Sequence, residues 1–231
     1  MIKKASRHIS NVIFGYYNLL LIFLFLLFVF RPYDRGPAYQ LLWKLLLTGT
    51  LLSATFNCKH PPLLKIITIV LAIPTVFLSW INHLYPAEFL TVANAIMTVT
   101  FMTFCTASVL YDVVLRAKVT LDTLKGVICA YFMVSFSFAF LFFIIEYFFP
   151  SSFSILEKVV PILPLDHFLS EMFYFSFITL LTIGYGDIVP ITDVGQTAVV
   201  MEGIIGQFYV AILVARLVSV YSFYASKKSK S

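Results

Sequence analysis

The chain has 231 residues, 61% of them hydrophobic and 12% charged, with a mean hydropathy of +0.96; this excludes an ordinary soluble globular domain and describes a membrane protein. The net charge of +5 comes from cations biased to one side of the apolar runs, so it is a topology signal and gives no reason to expect nucleic acid as a partner. No cluster of nucleophile, base and metal ligands argues for an enzyme, no pair of repeated halves with broken helices argues for a secondary transporter, and Cys58, Cys105 and Cys129 lack metal-ligand spacing and read as small packing residues.

A helix needs about 20 mainly apolar residues to cross the hydrocarbon. Six runs meet that requirement, at 11–30, 39–56, 63–81, 89–115, 124–149 and 195–223. The segment 150–190 is too polar, and too broken by Pro150, Pro161 and Pro164, to cross as one helix. It reads as a re-entrant loop, because irregular backbone at membrane depth survives only where protein buries it or water lines it. With the N-terminus inside, Lys3, Lys4, Arg7, Lys59, Lys65, Arg116, Lys118, Lys125, Lys227, Lys228 and Lys230 all fall on the cytoplasmic side, against Arg31, Arg35 and Lys158 outside and Lys44 close to that face. The excess of cytoplasmic cations sets both termini inside.

The run 11–30 follows a basic start and is too long for a cleaved signal segment. From Leu19 onward it is almost uniformly Leu and Phe, which predicts a helix facing lipid. Trp43 and Lys44, one turn in from the outer end of the second run, suit interfacial anchoring and snorkelling. Pro74 inside the third run predicts a kink, Trp80 marks the outer interface, and His83 lies in the short loop beyond. The fourth run has no Lys or Arg between Phe89 and Tyr111; its Thr91, Asn94, Thr98, Thr100, Thr103, Thr106 and Ser108 are expected to bond to neighbouring helices. Asp112 and Arg116, four apart at its end, are able to pair. The fifth run is rich in Phe, suited to lipid and to a neighbouring subunit, and Glu146 near its outer end is either functional or an interfacial carboxylate.

Within the re-entrant segment a short helix is expected over 170–181, with Ser170 as N-cap and Glu171 at the positive end of its dipole. It leads into Thr182-Ile183-Gly184-Tyr185-Gly186-Asp187. This stretch resembles the selectivity filter of potassium channels of the voltage-gated-like superfamily, specifically over residues 170–218 and only in architecture over the first four runs. In that family four extended strands around one axis replace the hydration shell of K+ with backbone carbonyls. The resemblance implies that the carbonyls of Thr182, Ile183, Gly184 and Tyr185 bind K+, that the Thr182 hydroxyl closes the innermost site, that Tyr185 packs outward, and that Asp187 anchors the outer end. Carbonyls facing one axis force alternating backbone hands, and Gly184 and Gly186 stand at alternate positions where positive φ carries no side-chain penalty. Phe173, Tyr174 and Phe175 take cuff positions that are usually tryptophan, with the Tyr174 hydroxyl expected to donate to Asp187; Glu146 braces the outer region. Leu181 stands where a second threonine is common, and Ile178 where some relatives place a carboxylate. Neither departure removes a carbonyl ligand.

In the last run Gly206 matches the hinge glycine of simple two-span potassium channels, while Gly203 and Gly206 equally suit close helix packing. Gln207, Val210, Val214 and Val218 share a helix face, which the family resemblance turns toward the central cavity, and Arg216 snorkels inward. Glu202 lies one turn before Gly206, behind the filter, with Ser176 or Thr179 as its partner unless it is protonated. The voltage-gated relatives carry arginines in their fourth span, each worth about 2.3 kcal/mol per 100 mV when moved through the field; none occurs here, so no steep voltage dependence is expected. With residues 224–231 reading as a short basic tail, no nucleotide-binding or calcium-sensing domain is expected after the last run.

The sequence thus predicts an all-α membrane protein. It has a sensor-like four-span domain at 1–120, a pore domain at 121–226 and a basic cytoplasmic tail at 227–231. Four copies would form a homotetrameric, K+-selective channel in the plasma membrane, such compact chains resembling those of bacterial inner membranes. Its partners would be itself and lipid, with no cofactor beyond the permeant K+ and no soluble ligand-binding domain. The alternative is a non-conducting auxiliary subunit of another channel.

Overall fold

The computed structural model describes residues 17–30, 36–57, 62–115, 121–155 and 165–229. In chain order these form α1 (Asn18–Val29), α2 (Pro37–Asn57), α3 (Pro62–Leu84), α4 (Glu88–Leu115), α5 (Leu121–Phe148), β1 (Phe153–Ile155), α6 (Leu165–Leu180), β2 (Ile188–Pro190) and α7 (Asp193–Ser229). Among the described residues four stretches are long and apolar enough to cross a membrane: Leu64–Leu84, Glu88–Tyr111, Asp122–Phe148 and Asp193–Arg216. Asn18–Val29 and Phe168–Leu180 are shorter apolar helices. The protein is a largely helical, multi-pass membrane protein.

Helices suit these sequences because every backbone group within them is satisfied internally, as a hydrocarbon environment demands. Their polar side chains follow the same economy. Thr98, Thr100 and Thr106 donate to the carbonyls of Asn94, Ile96 and Met102 one turn back in α4, so these threonines bond within their own helix and not to neighbours. Thr91 instead reaches across to Asn82 Oδ1 at 3.1 Å. Helix α3 runs through Pro74 unbroken, and α7 continues beyond the predicted end of the last run as far as Ser229.

The core lies where α5 meets α1, α4 and α6. Helix α1 does not simply face lipid: Leu20, Leu24 and Leu27 are buried, spaced so that they share one side of the helix, while Leu19, Ile22 and Phe25 are exposed. Phe28 packs edge-on against Phe177 of α6 at 4.7 Å between ring centroids. Phe136, Phe140, Phe142 and Phe143 of α5 likewise turn inward, while Phe148 is exposed. Phe136 and Phe140 meet Phe173 edge-on at 5.2 and 5.4 Å, and Phe142 packs on Phe175 at 5.4 Å. Such edge-to-face pairs add to area burial and fix the rotation of α6 against α5. Trp43, expected at the interface, is buried between Phe140 and Phe173. Ser170, expected as an N-cap, is a buried residue inside α6, which begins five residues earlier at Leu165 just after Pro164.

Strands β1 and β2 pair antiparallel, Phe153 opposite Pro190 and Ile155 opposite Ile188. This small ladder joins the end of α5 to the segment that follows Asp187. The side chains of Asp112 and Val218 and all of Cys58, Arg116, Lys158 and Pro161 lie outside the described residues.

Candidate functional site

Helix α6 ends at Leu180, and two of its last carbonyls are taken up by amides of the turn that follows: Thr182 N–H donates to Thr179 O and Ile183 N–H to Ile178 O, both at 2.9 Å. From there the backbone alternates. Thr182, Gly184 and Gly186 have φ of 57°, 59° and 77°, and the residues between them are not left-handed. Two of the three left-handed positions are glycines, which take that conformation at no steric cost. Thr182 is the exception, a β-branched residue in a region such residues avoid, and its hydroxyl donates to the Leu181 carbonyl at 2.7 Å. All residues from Leu181 to Asp187 are exposed in the single chain, Tyr185 at 69%.

The Asp187 end of this segment is held by two clasps. Tyr174 Oη donates to Asp187 Oδ2 at 2.7 Å, and Ile188 N–H donates to Asp187 Oδ1 at 3.1 Å. Glu146 takes the backbone N–H groups of Ser151, Ser152 and Phe153 at 2.8, 2.9 and 3.1 Å. It thereby shapes the turn into β1, with Ser151 at φ 65°, and β1 in turn pairs with the strand directly after Asp187. Phe175 is buried against Phe142 and Phe153 behind the same end.

The other side is held by α7, whose buried positions Gly195, Ala198, Glu202 and Gly206 form a narrow stripe that the half-buried Tyr209 and Leu213 continue. Ser176 Oγ hydrogen-bonds to Glu202 Oε1, to the Ser135 carbonyl at 2.7 Å and to Ser135 Oγ at 2.9 Å. One polar knot therefore ties α5, α6 and α7 together. Gly206 lies against the last residue of α6, where a Cβ would fall 2.8 Å from Leu180 Cδ1 and 3.1 Å from Leu180 O. Tyr131 Oη donates to that same carbonyl at 3.2 Å, Tyr131 and Tyr209 pack at 5.3 Å, and Tyr209 Oη donates to Val127 O. Neither tyrosine was singled out by sequence, because a lone Tyr in an apolar run carries no sign of which carbonyl it serves. A Cβ on Gly203 would meet nothing within 4 Å. Gln207, Val210 and Val214 are exposed, turned away from the buried stripe.

No curated protein and no solved structure matches the chain. Residues 96–223 match an ion channel family, and this stretch spans more than half of the chain and holds the whole site just described. The protein is a member of the ion channel family.

Proposed function

We propose that the chain is the subunit of a homotetrameric, K+-selective channel, with six spans (α1 to α5 and α7), α6 and the 182–187 segment as a re-entrant pore loop, and both termini on the cytoplasmic side of a plasma membrane of bacterial type. The observation that carries this reading is the alternation of backbone hand at Thr182, Gly184 and Gly186. Alternation is what a strand needs to turn successive carbonyls toward one axis, and a ring of such carbonyls replaces the ion's water. The exposure of that strand and of most of α7, including Ile204, Phe208, Ile212 and Val214, supports further copies of the chain around the axis. In the assembly Thr182 to Tyr185 bind K+, Gly186 completes the turn, and Gln207, Val210, Val214 and Val218 line the cavity.

Asp187, Tyr174, Phe175, Glu146 and Glu202 act as the filter's frame. Conduction is passive, and voltage dependence is shallow because no cation lies between Phe89 and Tyr111. The test is efflux from K+-loaded vesicles carrying the purified protein: flux with external K+ or Rb+ and none with Na+ as the permeant ion supports the reading, and equal Na+ flux overturns it. The Tyr174 clasp makes a finer prediction. Tyr174→Phe keeps the ring and removes the donor, so single-channel open lifetimes will shorten by roughly threefold to tenfold, the range set by one hydrogen bond. Unchanged lifetimes would remove the clasp from the mechanism.

A further inference from the structure

The peptide units between the last turn of α6 and the 182–187 segment are pinned one after another. The unit joining Leu180 to Leu181 sends its N–H to Phe177 O at 2.9 Å, and its carbonyl, that of Leu180, takes the Tyr131 hydroxyl at 3.2 Å. In the next unit Thr182 N–H goes to Thr179 O, and the Leu181 carbonyl takes the Thr182 hydroxyl. In the third, Ile183 N–H goes to Ile178 O, while the Thr182 carbonyl has no donor among the described residues. Thr182 O is therefore the first carbonyl of the run left to face something other than its own chain.

Four of these five bonds are local and would travel with the end of α6 if that end shifted. The fifth comes from α5, 49 residues away along the chain, and lands two residues before Thr182. It ties the start of the segment to a different helix. Thr182 needs such a tie, because its φ of 57° is one that a β-branched residue keeps only where its surroundings over-determine it. Tyr131 is itself held. Its ring packs on Tyr209 of α7 at 5.3 Å between centroids, and the Tyr209 hydroxyl donates to Val127 O, one turn before Tyr131 on α5. Without that hydroxyl the Tyr209 ring loses its anchor, and Tyr131 loses the wall that keeps it on Leu180.

We propose that Tyr131 is a positioning residue for the ion site at Thr182, acting through the Leu180 carbonyl, and that Tyr209 acts through Tyr131. The proposal rests on the reading of 182–187 as a K+ filter. It adds a residue outside the re-entrant loop that sets how tightly the first free carbonyl holds the ion.

The test is calorimetric titration of KCl into the detergent-purified assembly in Na+ buffer, which reads binding without current. Tyr131→Phe keeps the ring and removes the donor, so the Kd for K+ should rise roughly threefold to tenfold, the range set by one hydrogen bond. The K+ to Na+ permeability ratio in planar bilayers should fall with it. Tyr209→Phe should act in the same direction, and the double variant should bind no more weakly than Tyr131→Phe alone, because the second residue works through the first. Ser137→Ala removes another hydroxyl bond of α5, to Met133 O at 2.7 Å, and should leave the Kd unchanged. A parent that binds K+ with Tyr131→Phe binding it equally well, or with Ser137→Ala weakening it as much, overturns the inference and leaves the pore reading standing. Effects of Tyr131→Phe and Tyr209→Phe that multiply in the double variant overturn the link between the two tyrosines. A parent with no preference for K+ overturns the pore reading and the inference together.

Discussion

Gly206→Ala will lower the thermal stability of the assembled protein and shorten its openings, whereas Gly203→Ala will do neither. A methyl at 206 would meet the Leu180 carbonyl at 3.1 Å and Leu180 Cδ1 at 2.8 Å. The side chain can swing aside, but the carbonyl is fixed by the end of α6 and by Tyr131. Overpacking of this kind costs about 1–3 kcal/mol, and the better helix propensity of alanine returns about 1 kcal/mol. The net loss is therefore up to about 2 kcal/mol per subunit on the same terms, and in the proposed tetramer it is repeated around the axis at the residue two before Thr182. At 203 a Cβ has open space, so only the propensity gain remains, about 1 kcal/mol. Melting temperatures and single-channel dwell times of the two variants separate this steric reading from a plain hinge, in which both glycines would serve flexibility and both substitutions would alter gating.

Glu202→Ala will cost more, about 2–4 kcal/mol per subunit, by emptying a fully enclosed site, while Glu202→Gln will stay close to the parent. The reason is a count of protons. Ser176 has one hydroxyl hydrogen, yet its oxygen contacts the Ser135 carbonyl, which can only accept, and Glu202 Oε1. A side chain at 202 that brings a hydrogen of its own satisfies both, and a glutamine amide always does. Glu202 Oε2 has no partner among the described residues, so the amide loses nothing on that side. Thermal melts of the detergent-purified assembly give the ranking. A glutamine variant as unstable as the alanine one would mean that the position needs a formal charge and that the hydrogen-bond count is wrong.

What the sequence made legible follows from which physical signals are local. Hydropathy over about 20 residues located the long helices among the described residues to within a few positions, apart from the end of α7, which runs on to Ser229, because crossing hydrocarbon is a property of a run. The alternate glycines marked the positive-φ positions Gly184 and Gly186 because no other residue takes them freely. The same signal could not say which side of an apolar helix meets protein. Lipid tails are as apolar as leucine, so the buried Leu20, Leu24 and Leu27 and the exposed Ile22 and Phe25 look alike until packed. Trp43 fell to the same ambiguity, since indole suits both an interface and a helix junction. Ser170 carried a good N-cap side chain, but Pro164 had already set an earlier start for α6. The pairing of β1 with β2 joins residues that lie 33 to 37 positions apart, too short and too distant for any periodicity to announce.

A K+-selective pore is defined by what the Thr182 to Asp187 segment lets through. The measurement is the reversal potential of single channels from the purified protein in a planar bilayer, with K+ on one side and Na+ on the other, followed across voltage. The expected reversal potential is displaced strongly toward the K+ equilibrium value, with open probability nearly flat in voltage. A reversal potential near zero under the same gradient would contradict it.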